Sequence, residues 1–214
     1  MPRMPHFPRK FPEIFQPVIA SQVGPSAPVV KVYDTFTGAD GTYIASRNPD
    51  VYVSGTWQHG SVGQISSNKC YIYNYNATQY IETLVSDCTI TMDITLSLSW
   101  GGGGNTGFRA RYTSDLDYWH IGFSHSAPTF RICEQTGGVF TERAAVAYTW
   151  EPGVTKELKV IFSGQSITAS WGGAYNLSYT SSTHQDHTQH GFRSYHNNYY
   201  SPGDAYDNYR VTVP

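Results

Sequence analysis

The sequence predicts an all-β protein, folded as a two-sheet antiparallel sandwich of jelly-roll type and preceded by an extended proline-rich arm. Three observations support this. Charged residues make up 14% of the chain, against roughly 25% in an average soluble domain. Aromatic residues reach 15% and include 17 tyrosines, which favour strands. Short alternating segments recur with turn signals about every 8–12 residues, and no stretch carries a helical repeat.

Residues 1–28 form the predicted arm. Seven of the chain's 12 prolines fall there. Because proline fixes φ and lacks a backbone N–H donor, this segment is expected to be neither helix nor central strand. Phe7, Phe11, Ile14 and Phe15 make it more apolar than a solvated linker. We therefore expect these four side chains to dock on another subunit; the alternative is an unordered tail.

Residues 29–214 form the predicted sandwich domain. The clearest strand is CTITMDITLSLSW, residues 88–100, in which an apolar residue occupies every second position from Ile90 to Leu98. A helix would spread those side chains around its whole circumference, so the alternation predicts a strand. The other predicted strands cover residues 29–36, 77–85, 107–114, 118–124, 129–136, 157–164, 166–173, 175–183, 190–198 and 208–213.

Charge and hydropathy exclude two classes of partner. The net charge is −2 and the isoelectric point is near 6.4, so the composition does not favour nucleic acid or an anionic membrane. No segment approaches the ~18 apolar residues of a membrane span, and the first residues lack the apolar run of a signal peptide. We expect no nucleic acid partner and no membrane insertion.

The three cysteines leave two interpretations open. Cys70 and Cys88 lie in neighbouring strand-like segments, and a bridge between them would need Cα atoms within about 7 Å of each other. The alternative is that these two and Cys133 are buried or half-buried free thiols, as free cysteines often are.

Residues 183–190, THQDHTQH, place His184, His187 and His190 at every third position. Histidine is the commonest transition-metal ligand, so the motif suggests a metal site. A helical turn would bring His184 and His187 together, whereas a strand would point them to opposite faces. Neither arrangement matches the helical HExxH motif. We favour a solvated connecting loop; the alternative is an ion shared by three copies of one histidine on a trimer axis.

Five segments, in this order, resemble landmarks of the concanavalin A-like, laminin-G-like jelly-roll domains. The resemblance covers residues 30–213 and implies the concanavalin A-like lectin and glucanase type of sandwich. The segments are YDTFTGADGTYIASRNPD (33–50), WQHGSVGQISSNKCYIYN (57–74), GFRARYTSDLDYWHIGF (107–123), TKELKVIFSGQSITASWGG (155–173) and HGFRSYHNNYYSPGDAYDNYRVTV (190–213).

The resemblance implies sugar binding on the central hairpin. Flat sugar rings stack on tryptophan or tyrosine, and their hydroxyls bond to polar side chains. The alternative is that each arginine pairs with a neighbouring side chain and that the tryptophan belongs to the core. The candidate sugar-binding residues are Arg109, Arg111, Tyr118, Trp119 and His120.

Within that hairpin, the strand period of two predicts which side chains share a face. Arg109 and Arg111 are expected on one face of the sheet, and Phe108, Ala110 and Tyr112 on the other.

The resemblance also implies one structural calcium. Several families of this fold hold Ca²⁺ with an aspartate on the last strand, which matches Asp207 here, and Asp34 is its candidate neighbour. Two carboxylates fall short of the six to eight oxygen ligands that calcium takes, unless carbonyls and water contribute. The alternative is that both aspartates accept hydrogen bonds at strand ends.

A hydrolase of the glucanase type would need two carboxylates about 5 Å apart on the concave sheet. Related enzymes carry them as a Glu-x-Asp-x-Glu or Glu-x-Asp-x-x-Glu run, and the sequence has no such run. The longest predicted strand offers only Asp93, while Asp115 and Asp117 fall in a predicted hairpin turn. We therefore expect no enzymatic activity.

An apolar arm followed by one lectin-like sandwich resembles minor tail or surface proteins of tailed bacteriophages. The expected function is a non-catalytic virion protein on the tail or capsid surface. Its arm would contact other virion subunits, and its sandwich would face outward toward host-envelope glycans. A homo-oligomer is expected, with a trimer as one form. The alternatives are a bacterial carbohydrate-binding module and, less favoured, a laminarinase-type glycoside hydrolase.

Overall fold

The computed structural model describes residues 26–58, 63–72, 77–97, 105–124, 128–194 and 203–214. The predicted docking residues Phe7, Phe11, Ile14 and Phe15 lie outside these ranges. Within the ranges, the chain forms 14 strands and one 3-10 turn, Ile44–Ser46. The strands are β1 (Val29–Asp34), β2 (Gly63–Ser66), β3 (Lys69–Ile72), β4 (Ala77–Glu82), β5 (Cys88–Thr95), β6 (Asn105–Ser114), β7 (Asp117–Ser124), β8 (Thr129–Thr136), β9 (Val139–Ala147), β10 (Thr155–Ser163), β11 (Ser166–Trp171), β12 (Tyr175–Thr180), β13 (Gln189–Ser194) and β14 (Ala205–Val213).

The strands form two sheets packed face to face, in which neighbouring strands run antiparallel. One is six-stranded, with the order β4-β13-β6-β7-β8-β9. The other is eight-stranded, with the order β12-β11-β10-β5-β14-β3-β2, and β1 also pairs with β14. This architecture confirms the predicted all-β jelly-roll sandwich.

The core lies between the two sheets. Along a strand every second side chain points inward, and these inward side chains form the core. Ile90, Met92 and Ile94 of β5 point inward and are fully buried, as the alternation predicts. Across the sandwich, the ring of Phe123 on β7 meets that of Trp171 on β11 edge-on, with centroids 4.6 Å apart. Each such buried side chain contributes roughly 1.5–3 kcal/mol to folding.

Strand β9 was not predicted from the sequence. It forms an edge of the six-stranded sheet and pairs only with β8 in the described ranges. Val139 and Phe140 are exposed, so this strand lacks the buried-and-exposed alternation that identifies β5. In the described part of the chain, no helix is long and apolar enough to cross a membrane.

Cys70, Cys88 and Cys133 are free and buried, which confirms the unbridged interpretation. Burial raises the pKa of Cys88 and of Cys133 to about 12 in each case. These thiols are therefore protonated at neutral pH and behave as small apolar side chains.

Candidate functional site

The central hairpin of the six-stranded sheet is formed by β6 and β7, with its turn at Asp115 and Leu116, as predicted. Its register shifts between Ala110 and Ser114, and Arg111 adopts a left-handed φ of 47°. Such a bulge re-aims the side chains that follow it. The prediction that Arg109 and Arg111 share a face is therefore wrong, because the irregularity interrupts the period of two.

Arg111 points toward the eight-stranded sheet. Its Nη2 donates to Oδ1 of Asp87 at 3.0 Å and to the carbonyl of Gly164 at 2.9 Å. Its guanidinium carbon lies 4.6 Å from the ring centre of Phe162 on β10. Burial lowers the pKa of Arg111. The side chain joins the two sheets at the side of the sandwich.

Trp119 of β7 is buried in the core. Its Nε1 donates to the carbonyl of Thr183 at 3.0 Å, and its ring lies 5.8 Å from that of Tyr179 on β12. The structure therefore places this candidate sugar-binding residue between the sheets, where its ring packs against Tyr179 and its Nε1 donates a hydrogen bond.

Arg109 and Tyr118 lie on the outward face, meaning the face of the six-stranded sheet turned away from the eight-stranded sheet. The guanidinium carbon of Arg109 lies 4.1 Å from the ring centre of Tyr118, a cation–π distance. Residues from four further positions join this pair, and we call the whole set the arginine–tyrosine cluster. Its members are Tyr80, Arg109, Tyr112, Tyr118, Gln135 and Arg193.

Hydrogen bonds connect the cluster through one phenol. Arg109 Nη2 and Arg193 Nη1 both donate to Oη of Tyr118, at 3.3 and 3.1 Å. That hydroxyl donates in turn to Oε1 of Gln135 at 2.6 Å. Arg109 Nη1 also forms an ion pair with Oδ1 of Asp115 at 2.5 Å. Four strands, β6, β7, β8 and β13, are tied together at this point.

Tyrosine rings extend the cluster toward β4. The ring centres of Tyr80 and Tyr112 lie 4.6 Å apart, and those of Tyr112 and Tyr118 lie 6.2 Å apart. Tyr112 Oη donates to Oδ1 of Asp115 at 3.3 Å. Burial, and then the Asp115 carboxylate, raise the pKa of Tyr112 to about 12, so it remains a neutral donor.

The centre of the cluster is buried and its rim is accessible. Arg109 is 2% exposed, Tyr118 1% and Arg193 7%. Tyr80 and Gln135 are half-buried, and the side chain of Asp115 is 63% exposed. A ligand at this face would therefore contact Tyr80, Gln135 and Asp115 first, with the arginines behind them.

His120 also lies on the outward face, directly opposite Cys133 of β8. It is fully buried, and its ring centre is 6.0 Å from that of the exposed Phe140 on β9. His120 therefore borders the cluster on the side of β9.

Sequence reasoning missed four members of the cluster: Tyr80, Tyr112, Gln135 and Arg193. One signal could have found Arg193, because the tripeptide Gly-Phe-Arg occurs at residues 107–109 and again at 191–193. In the antiparallel pairing of β6 and β13, Gly191 lies opposite Arg109 and Gly107 lies opposite Arg193. A Cβ at Gly107 would meet the carbonyl of Ile121 on β7, and one at Gly191 would meet the carbonyl of Gln79 on β4, so both glycines allow close approach of a neighbouring strand.

The expected calcium ligand Asp34 has another role. Its carboxylate accepts hydrogen bonds from Arg47 Nη1, Trp57 Nε1 and the Phe36 amide at 2.7, 2.7 and 2.8 Å. Three N–H donors occupy the positions that a cation would take, so Asp34 does not fit a calcium ligand.

Asp207, the other expected ligand, accepts from the Asn208 amide at 2.8 Å, and burial raises its pKa. Among the described residues, no group of three or more His, Cys, Asp or Glu side chains could hold a metal ion. A calcium site at Asp207 stays a prediction.

Carboxylates in and around the outward face are engaged with arginines. Asp115 pairs with Arg109, and Glu142 pairs with Arg131 at 3.4 Å. Asp93, the aspartate of the longest predicted strand, lies on β5 in the eight-stranded sheet and accepts from Asn208 Nδ2 at 2.9 Å. None of these three described carboxylates contacts another in the arrangement a retaining glycosidase needs.

The histidine motif forms a turn that packs against the hairpin ends. The rings of His184 and His187 stack with centres 5.4 Å apart. His184 Nε2 bonds to the carbonyl of Gln135 at 2.9 Å, and His187 Nδ1 bonds to Oγ1 of Thr113 at 3.1 Å. His190 lies within β13, consistent with the strand predicted from residue 190, and is fully buried. A shared ion on a trimer axis stays a prediction.

A groove of about 400 Å³ lies on the other surface of the sandwich, along β10, β11 and β12. Lys159, Thr168, Ser170 and Asn176 are among its lining residues, and none of the described residues that line it is aromatic. Because sugar rings bind most strongly where an aromatic face meets polar groups, the arginine–tyrosine cluster is the better candidate.

Comparison with known proteins shows the fold. The sequence matches no protein-family model and no curated protein. Solved structures that match include a GlcNAcα1-4Gal-releasing endo-β-galactosidase from Clostridium perfringens, with a TM-score of 0.59 and 10% identity over 91% of this chain and 64% of that one.

Two glucanases match as well. A β-glucanase from Bacillus licheniformis has a TM-score of 0.56 and 14% identity, over 88% of this chain and 99% of that one. A non-specific endo-β-1,3(4)-glucanase of family GH16 has a TM-score of 0.57 and 9% identity, over 88% and 92%. At these identities the likeness shows the fold alone, and it confirms the concanavalin A-like jelly roll.

Proposed function

We propose that the protein is a non-catalytic carbohydrate-binding protein and that the arginine–tyrosine cluster is its binding site. The observation that carries this proposal is the row of neighbouring rings of Tyr80, Tyr112 and Tyr118 beside two arginines on the outward face. Sugars combine apolar C–H faces with hydroxyls, so a site for them needs rings and polar groups together.

The cluster supplies both kinds of contact at its rim. The half-buried Tyr80 offers a ring for a sugar face, and the amide of Gln135 offers donors and an acceptor for hydroxyls. Tyr118 acts as a positioning residue, because its hydroxyl holds Gln135 in place through a hydrogen bond. Such prior ordering lowers the entropic cost of binding.

A glycan array tests this proposal. The wild-type protein is expected to bind a subset of glycans, and Tyr80→Ala or Gln135→Ala to lose that binding without losing the fold. Tyr52→Ala is the matched control, since Tyr52 is a 44% exposed tyrosine outside the cluster. Equal loss in Tyr52→Ala, or unchanged binding in Tyr80→Ala, would contradict the proposed site.

We also propose that the protein works on the surface of a tailed-phage virion. Support comes from the apolar, proline-rich arm, in which Phe7, Phe11, Ile14 and Phe15 suit docking to another subunit. Mass spectrometry of purified virions should detect the protein, and residues 1–28 should resist protease in the particle. If the protein is absent from purified virions, the alternative of a bacterial carbohydrate-binding module is favoured.

The hydrolase alternative has a separate test. Release of reducing ends from β-1,3- and β-1,4-glucans is expected to stay at background. In the described chain, the exposed Asp115 and Glu142 are each bound to an arginine. Release that disappears in Asp115→Asn would overturn the non-catalytic assignment.

A further inference from the structure

The cluster holds more positive charge than its glycan role alone requires. Two guanidinium groups, of Arg109 and Arg193, converge on the one hydroxyl of Tyr118. Both side chains are buried, at 2% and 7% exposure. Burial, and then the charge of Arg109, lower the pKa of Arg193 to about 10. Two like charges so close in a region with little water repel each other.

The second observation concerns a single atom. Nε of Arg109 is buried and has no hydrogen-bond partner among the described residues. A buried donor without an acceptor costs free energy, and a guanidinium N–H costs more than a neutral one. Nε and Nη2 of arginine lie on the same side of the guanidinium and form a fork whose two parallel N–H bonds fit a planar pair of oxygens. The geometry therefore suits an anion with two oxygens side by side.

Asp115 already shows that the other edge of this guanidinium accepts a carboxylate. Its Oδ1 lies 2.5 Å from Arg109 Nη1, yet its side chain is 63% exposed and sits in the hairpin turn between β6 and β7. Because the Asp115 carboxylate is mostly solvated, it loses little when it exchanges Arg109 for water, whereas the buried Arg109 needs an anion in its place. A carboxylate from outside can therefore replace Asp115 on Arg109.

We infer that the ligand is an acidic sugar, whose carboxylate or sulfate group displaces Asp115 and binds Arg109, with Arg193 as the second cation. Tyr80 then packs against the ring of the same sugar or its neighbour. The hydroxyl of Tyr118, held between the two arginines, fixes where the anionic group lies. This inference rests on the proposed function and adds the class of glycan.

Matched pairs of glycans test the inference by titration calorimetry. The pairs are 3′-sialyllactose with lactose, lactose 3′-sulfate with lactose, and galacturonic acid trimer with galactose trimer. In at least one pair the acidic member should bind about tenfold more tightly, and its affinity should fall as salt is raised. The carboxylate and sulfate pairs separate the two anionic groups.

Asp115→Asn provides the decisive variant, because it removes the competing carboxylate and leaves the arginines in place. It should strengthen binding of the acidic member several-fold relative to binding of the neutral member. Arg109→Gln and Arg193→Gln should abolish the acidic preference, whereas Arg131→Gln, an arginine that pairs with Glu142, should retain it. If the arginine variants do not fold, the Asp115→Asn result still tests the acidic-sugar inference.

The outcomes separate the inference from the proposed function. Equal binding of acidic and neutral members would overturn the acidic-sugar inference and leave carbohydrate binding standing. Weaker acidic binding in Asp115→Asn would also overturn it. Binding of no glycan in any pair or on the array would overturn both.

Discussion

The backbone N–H of Arg111 donates to Nδ1 of His190 at 3.2 Å, and Nε2 of the same ring bonds to the carbonyl of Val85 at 2.9 Å. Nδ1 is therefore the acceptor and Nε2 carries the proton, so the imidazole is neutral. The ring is fully buried. It joins β13 to the bulge of β6 and to the segment between β4 and β5.

Acid should therefore destabilise the protein through His190. Burial lowers the pKa of His190 from 6.5 to about 4. The stabilising contribution is complete above pH 6.5 and is lost as the pH falls toward the folded-state pKa, because only the unfolded chain takes up the proton. We expect a loss of about 2–3 kcal/mol between pH 7.5 and pH 4.5.

Urea unfolding at the two pH values measures this. His190→Gln keeps a donor for the carbonyl of Val85 but does not titrate, so its unfolding free energy should fall less between pH 7.5 and pH 4.5. An equal fall in both proteins would show that other groups cause the acid sensitivity.

Arg111→Met should lower the free energy of unfolding by about 2–4 kcal/mol, since it keeps the apolar stem but removes the bonds to Asp87 and Gly164. Arg210→Met is the control, with an expected loss below about 1 kcal/mol because Arg210 is exposed and its guanidinium lies over the ring of Tyr33 at the surface. Chemical denaturation compares the two. Similar losses would contradict the inter-sheet role of Arg111.

Trp119→Ala should cost about 3–5 kcal/mol, because it leaves a cavity in the core and the carbonyl of Thr183 without its donor. Thermal unfolding would register this as a lower midpoint. A variant that keeps its midpoint but loses glycan binding would place Trp119 in the sugar site after all.

The sequence predicts the fold well and the site only in part. The alternation in β5 is local, so Ile90, Met92 and Ile94 could be assigned to the core from the sequence alone. The bulge at Arg111 depends on contacts with residues that are distant in sequence. The local alternation of apolar and polar residues carries no information about those contacts. Likewise, Tyr80 and Arg193 join the cluster only through the long-range pairing of β4, β13 and β6.

Calcium removal tests the predicted site at Asp207. Because Asp34 already accepts three N–H donors, a protein without a calcium site at Asp207 keeps the same melting midpoint with and without EGTA. A lower midpoint in EGTA that Asp207→Asn abolishes would instead establish a calcium site at Asp207. Asp34→Asn should destabilise the protein in either buffer by about 1–3 kcal/mol, because Arg47 and Trp57 lose a charged acceptor.

The most direct test of the central claim is a map of backbone amide chemical shifts during titration with the best-binding glycan from the array. The account predicts shifts concentrated on β4, β6, β7, β8 and β13 around Tyr80, Tyr118 and Gln135. Shifts confined to β10, β11 and β12, along the groove that contains Lys159 and Asn176, would contradict it.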